Sequence, residues 1–98
     1  MNTVWKIVIS FAANEEIYPL PAGARFIHFD RDTREPGKFS AWFQVETGNV
    51  IEQRRFRIRG TGRELDAGSI VLGTVLDSGS TGAMLSWHLE EVPMEARP

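Results

Sequence analysis

Apolar and polar residues alternate along most of this chain, and this alternation constrains the fold more than any other feature. The pattern is clearest in KFSAWFQVE, residues 38–46, whose apolar face carries Phe39, Ala41, Phe43 and Val45. Successive side chains of a β-strand point to opposite faces, so a period of two indicates a strand with one buried face. Trp42 falls on the polar face of this segment. Residues 3–11 and 83–92 repeat the pattern and predict further strands.

Turn-forming residues divide the chain into about seven such segments. One turn is PAG at residues 21–23; another is TGN at residues 47–49, which predicts a hairpin between the strands on either side. The spacing predicts an all-β fold, a small single-domain antiparallel barrel or sandwich of about seven short strands. We expect residues 1–92 to form this domain and residues 93–98 to be a flexible C-terminal tail.

The same alternation predicts the core. A chain of 98 residues is long enough for one modest core and too short for two. The segment SIVLGTVLD, residues 69–77, is predicted to be the most buried strand. The expected core side chains are Trp5, Ile7, Ile9, Phe29, Phe43, Phe56, Ile58, Val71, Leu85, Trp87 and Leu89.

Composition excludes several classes of site. The chain has no cysteine, which removes disulfides, thiol nucleophiles and cysteine-ligated zinc or iron–sulfur centres. Its 13 acidic and 11 basic residues leave a net charge of −2, whereas proteins that grip nucleic acid over a wide surface are usually basic. No segment approaches the roughly 20 apolar residues of a membrane helix, so we expect no membrane association.

The segment RRFRIRGTG is the strongest candidate for a binding site. Alternation places Arg55, Arg57 and Arg59 on one face of a strand and Phe56 and Ile58 on the other. Guanidinium groups two residues apart can follow the phosphates of an anionic partner. The GTG that follows lacks the lysine and the helix of a phosphate-binding loop, so it is predicted to be a turn.

Two interpretations of the arginine face stay open. If Trp42 neighbours it, a stacking contact with an arginine would strengthen a site for an anionic partner. The alternative is a solvated face whose arginines pair across the sheet with Glu46, Glu52 or Glu90. The acidic net charge favours this second interpretation.

The segment VLDSGST, residues 75–81, resembles the active-site loop of aspartic proteases. In a dimeric protease of this kind, Asp77 would share a proton with the same residue of a second chain. The position argues against this function, because several strands follow the loop in that family and only one follows here. Asp-Ser-Gly is also a common turn sequence.

His28 and His88 are the only histidines, and their spacing supports neither a catalytic triad nor a zinc site. We therefore expect no catalytic residue, no metal and no cofactor.

Five segments together carry a family resemblance: LPAGARFIHF, AWFQVETG, RRFRIRGTG, IVLGTV and LSWHLEEV. In this order they resemble a family of small proteins of unknown function from phages and prophages of actinobacteria. The resemblance implies a small accessory protein in the cytoplasm of an infected bacterial cell. It implies no catalytic residue.

Three functions follow as expectations. The first, which we favour, is a non-enzymatic protein-interaction module that binds a host or phage protein, with homo-oligomerisation left open, because unprotected strand edges invite pairing. The second is a binder of nucleic acid or nucleotide through Arg55, Arg57, Arg59 and Trp42. The third is a dimeric aspartic-protease-like enzyme that uses Asp77.

Overall fold

The structure is a computed structural model that describes residues 1–10, 16–77 and 85–94. Within these ranges the chain forms seven β-strands. They are β1 (Asn2–Ser10), β2 (Glu16–Pro21), β3 (Arg25–Arg31), β4 (Lys38–Glu46), β5 (Ile51–Gly60), β6 (Ile70–Asp77) and β7 (Leu85–Val92). The described residues form no helix. The predicted all-β class is confirmed.

The strands form two antiparallel sheets that pack against each other as a sandwich. One sheet has the strand order β1-β4-β3, and the other has the order β2-β5-β7-β6. Aromatic rings bridge the two inner faces: the centroids of Phe43 and Phe56 lie 5.5 Å apart, and those of Phe39 and Trp87 lie 6.3 Å apart. Such contacts between alternating inward side chains are what hold two sheets face to face.

The connection between β4 and β5 differs from the prediction. Residues 47–49 do form a turn, but β4 and β5 belong to different sheets, so the predicted hairpin is wrong. Asn49 donates a side-chain hydrogen bond to the Ala22 carbonyl, and the Ala22 N–H donates to the Val50 carbonyl at 2.7 Å. These bonds attach the turn to the β2–β3 connection, from which β5 continues beside β2.

The predicted core is correct for seven of its side chains and wrong for three. Ile7, Ile9, Phe29, Phe43, Phe56, Ile58 and Leu89 are buried, and Trp87 is partly buried against them. Trp5, Val71 and Leu85 are exposed instead. The prediction missed the buried side chains Leu20, Ala24, Phe39, Ala41, Val45 and Val92.

The three errors have two causes: the register shift after Val71 puts that side chain on the outward face, and all three positions lie on an edge strand or at a strand end. Trp5 lies on β1 and Val71 on β6, and both strands are edges of their sheets, while Leu85 begins β7 where it pairs with the last residue of β6. Edge and end positions are covered on fewer sides, so an apolar side chain there stays exposed. Alternation identifies neither the place of a strand in the sheet nor a register shift within the strand.

Strand β6 lies close to β3 of the other sheet. The pairing of β6 with β7 shifts between Val71 and Gly73. A Cβ atom on Gly73 would lie 2.9 Å from Cζ of Phe26 and 3.1 Å from Cβ of Phe29. Only glycine fits this approach without a shift of its neighbours.

Candidate functional site

The arginines of β5 lie on both faces of the strand. Phe56 and Ile58 are buried in the sandwich, and Arg55, Arg57 and Arg59 lie on the outward face, so the predicted separation of faces is confirmed. β5 pairs with β2 on one side and β7 on the other, which makes it a central strand. Its outward arginines therefore have neighbours on both sides.

Arg57 is largely enclosed, with its side chain 11% exposed. It lies opposite Glu90 of β7 and donates to this carboxylate from Nε at 2.5 Å and from Nη2 at 3.3 Å. Its Nη2 also donates to Oδ1 of Asp66 at 3.0 Å. The charge of Arg57 is thus balanced by two carboxylates, one of which, Glu90, was among the three predicted partners.

Glu90 is 0% exposed although it lies on the outward face of its strand. The connection from β5 to β6 covers it, because the backbone N–H of Asp66 donates to Oε2 of Glu90 at 3.0 Å. Burial alone raises the pKa of Glu90, but hydrogen bonds from Arg57, Ser69 and the Asp66 backbone outweigh it. The net effect holds the pKa of Glu90 below its usual value, so this buried carboxylate stays charged.

Arg54 was absent from the predicted site, yet it makes the best-defined ion pair of the strand. It donates from Nε and Nη2 to the two oxygens of Glu91, at 2.6 and 2.8 Å, and from Nη1 to the Ala24 carbonyl at 2.6 Å. Its guanidinium carbon lies 5.4 Å from the ring centroid of Phe43 and 5.7 Å from that of Phe56. Arg54 and Phe56 are two residues apart on β5, so both point to the inner face. This spacing was the sequence signal that could have identified Arg54.

Arg55 and Arg59 flank Arg57 on the outward face and contact other groups of the protein. Arg55 donates from Nη1 to the Pro93 carbonyl at 3.2 Å. Arg59 approaches the same Glu90 carboxylate, with Nε 3.5 Å from Oε1. The outward strip therefore carries Arg57, which two carboxylates balance, between Arg55 and Arg59, which also contact protein groups.

Trp42 does not join the arginine strip. It lies on the outward face of β4, in the other sheet, because Phe43 and Ala41 on either side of it point into the sandwich. Its ring lies 5.5 Å from that of His28, and its backbone pairs with Lys6. The sandwich separates Trp42 from Arg55, Arg57 and Arg59, so the condition set for a stacking contact, that Trp42 neighbours the arginine face, is not met.

His88 lies on the outward face of β7, opposite Arg59. Its ring nitrogens Nε2 and Nδ1 lie 2.8 Å from the hydroxyl oxygens of Thr61 and Thr74, respectively. These bonds connect β6, β7 and the turn after β5. Gly62 has a φ of 89°, in the left-handed region, which agrees with the predicted turn at GTG.

Asp77 ends β6, and its Oδ1 accepts a hydrogen bond from Nη1 of Arg31 at 3.0 Å. The contact joins β3 of one sheet to β6 of the other. Residues 78–81 of the proposed protease loop lie outside the described residues.

Exposed apolar side chains on β6 were missed as a candidate surface. Ile70, Val71 and Leu76 are 56%, 45% and 55% exposed. In the register with β7, Val71 lies opposite Glu90 and Leu76 opposite Ser86, so both side chains are on the outward face. The segment predicted to be the most buried is an exposed apolar edge.

A groove of about 500 Å³ lies beside the Arg54–Glu91 pair, and Ile70, Pro93 and Met94 contribute to its walls. In residues 1–10, 16–77 and 85–94, no group of three or more histidine, aspartate or glutamate side chains could hold a metal ion. In the same ranges, no helix is long and apolar enough to cross a membrane.

The profile of one protein family, described as "Domain of unknown function (DUF7352)", matches residues 1–97. The chain belongs to the DUF7352 family. No curated protein and no solved structure is significantly similar to it. Membership in DUF7352 assigns no reaction, ligand or partner to the chain.

Proposed function

We propose that this DUF7352 protein is a non-enzymatic protein-interaction module, a small phage-type accessory protein that binds a host or phage protein in the cytoplasm of an infected bacterium. The observation that carries the proposal is the exposed apolar strand β6. Phage origin and location rest on the family resemblance of the five sequence segments described above.

Strand β6 is unusual for an exposed edge. Apart from Asp77 at its end it carries no charged residue, and it contains no proline. Edge strands are usually protected by such residues, and exposed apolar patches on soluble proteins often mark a binding surface. The partner we propose presents apolar side chains that cover Ile70, Val71 and Leu76.

The alternative, binding of nucleic acid through the arginine strip, has less support. Arg57 is balanced by Glu90 and Asp66, and Arg59 also approaches Glu90. An arginine that already pairs with a carboxylate releases few counterions on meeting a phosphate. Trp42 lies on the opposite side of the sandwich and cannot contribute a stacking surface to the strip.

Affinity purification with the intact protein from its bacterial host tests the proposal. We expect the protein to retain a defined partner, and Leu76→Lys to weaken that complex by about tenfold or more, since a buried leucine contributes on the order of 2 kcal/mol to an interface. The complex is then measured with purified components by calorimetry.

Ile17→Lys is the matched control, because Ile17 is also exposed on the outward face of the same sheet, on the opposite edge strand β2. This variant should bind normally. Equal loss in both variants, or recovery of nucleic acid in place of a protein, would contradict the proposal. If nucleic acid is recovered, Arg59→Glu should release it.

A further inference from the structure

Strand β1 presents a long, regular and unpaired edge. All nine of its residues pair with β4, from Asn2 opposite Glu46 to Ser10 opposite Lys38, without a register shift. No described strand pairs with its other side. A regular edge of this kind is a template for another strand.

The hydrogen bonds of β1 show which residues point to the free edge. The Val8 carbonyl accepts a bond from the Tyr18 hydroxyl, and the Ser10 N–H donates to Glu16 at 3.0 Å. On the β4 side, the Met1 carbonyl accepts from Thr47. Because the backbone groups of alternate residues point to alternate sides, even-numbered residues face the free edge.

Tyr18 and Glu16 therefore occupy the C-terminal half of this edge. The N–H and C=O groups of Asn2, Val4 and Lys6 remain for pairing. The side chain of Val4 is 52% exposed beside them, and Trp5 is exposed on the inner face.

The other three edges carry features that disfavour strand addition. β2 contains Pro19 and Pro21, which limit the backbone donors it can offer. β3 has a register shift between Phe26 and His28. β6 has one between Val71 and Gly73 and lies against β3. Among the described strands, β1 is the regular edge.

We propose that a second copy of this chain pairs with β1 in antiparallel orientation, with Val4 opposite Val4 of the second copy on the two-fold axis. Asn2 then lies opposite Lys6 of the second copy, and Thr3 opposite Trp5. The two three-stranded sheets become one sheet of six strands, in which each β1 is central.

The exposed hydrogen-bonding groups and the charges favour this register. Pairing about Val4 uses the free groups of Asn2, Val4 and Lys6 in both copies and forms about six backbone hydrogen bonds. Pairing about Lys6 would place two ammonium groups directly opposite each other, which destabilises a strand pair. Pairing about Trp5 would place Asn2 opposite Val8 of the second copy. The Val8 carbonyl already accepts a hydrogen bond from the Tyr18 hydroxyl, so it is not available for this pairing.

The charges beside Asn2 also bear on the pairing with a second copy. Asn2, the residue that would face Lys6 of the second copy, lies beside Glu46 of β4. Glu46 already pairs with the N-terminal ammonium group of Met1, so the incoming ammonium group would share this carboxylate with a like charge. This interface is at the opposite edge of the molecule from β6 and is independent of the proposed partner surface.

Val4→Pro tests the dimer in the full chain. Proline at this position removes an N–H that points to the free edge and takes no part in the β1–β4 ladder. Val8→Pro is the matched control, because it removes another edge-facing N–H outside the proposed contact. Both variants are compared with the wild type by analytical ultracentrifugation and circular dichroism.

We expect the wild type and Val8→Pro to have twice the 11.0 kDa mass of the chain, and Val4→Pro to have the monomer mass with unchanged circular dichroism. A wild-type monomer at millimolar concentration, or a dimeric Val4→Pro, would overturn the proposal. If Val4→Pro does not fold, hydrogen exchange of the wild type decides: protected amides at Val4 and Lys6 support the dimer, and unprotected ones exclude it. If the wild type is a monomer and Leu76→Lys still weakens the complex with the partner protein, only the dimer proposal is contradicted.

Discussion

At the scale of single residues, the arginines of β5 act through the carboxylates that they meet. Arg54 is enclosed by Glu91, the Ala24 carbonyl and two phenyl rings, and its carboxylate partner raises the pKa of the guanidinium further. Removing one member of an enclosed pair leaves the other charge without compensation, which costs more than the pair itself contributes. The arginines thus stabilise the sandwich, whatever else they bind.

Glu91→Gln should lower the free energy of unfolding by about 2–4 kcal/mol, because it leaves the charge of Arg54 partly buried without a carboxylate. Urea unfolding followed by tryptophan fluorescence measures the change. Glu52→Gln is the control, since Glu52 is exposed and influences Arg54 only through its charge. A loss in Glu91→Gln no larger than in the control would show that this pair contributes nothing to stability.

At the scale of elements, the approach of β3 to β6 depends on one residue without a side chain. Gly73 faces Phe26 and Phe29, and the Arg31–Asp77 pair joins the same two strands further along. Since β6 also carries the exposed apolar side chains, its position against β3 decides how Val71 and Leu76 are presented. Packing in the core and presentation of the surface are coupled in this strand.

Gly73→Ala should destabilise the protein by about 1–3 kcal/mol, because its Cβ would overlap Phe26 and crowd the backbone-anchored Cβ of Phe29. Gly60→Ala is the matched control in β5. A Cβ there would lie 3.5 Å from the Trp87 ring, an ordinary contact, so this variant should keep its stability or gain slightly. Thermal unfolding of the two variants compares them, and the reverse order of stability would refute the close approach.

At the scale of the whole molecule, Glu90 connects three parts of the fold: β5 through Arg57, β7 on which it lies, and the β5–β6 connection through Asp66. Its pKa is lower in the folded protein than the usual value of 4.5. The unfolded chain therefore binds a proton at higher pH than the folded chain does. The stability from Glu90 is complete above its unfolded pKa and is lost as the pH falls through the lower folded value.

Glu90→Gln should consequently be destabilising by about 3 kcal/mol at neutral pH, and its difference from the wild type should shrink as the pH falls below about 4.5. Urea unfolding at a series of pH values gives this difference. Glu64→Gln, a change at an exposed acid in the same connection, should show a small difference at every pH. A Glu90→Gln difference that stays constant down to the acid range would contradict the role given to this carboxylate.

The sequence alone determined the all-β class, the strands and most of the inward-facing side chains, because alternation is a local consequence of strand geometry and apolar burial. It also predicted the separation of Phe56 from Arg57 and one true partner, Glu90. Only the tertiary structure decided that β4 and β5 lie in different sheets, that Trp42 and the arginine strip face opposite sides, and that β6 is an exposed edge. These outcomes depend on which distant strands pair, and that pairing arises from contacts between residues far apart in the chain. The period of two is the same in a central strand and in an edge strand, so it cannot distinguish them.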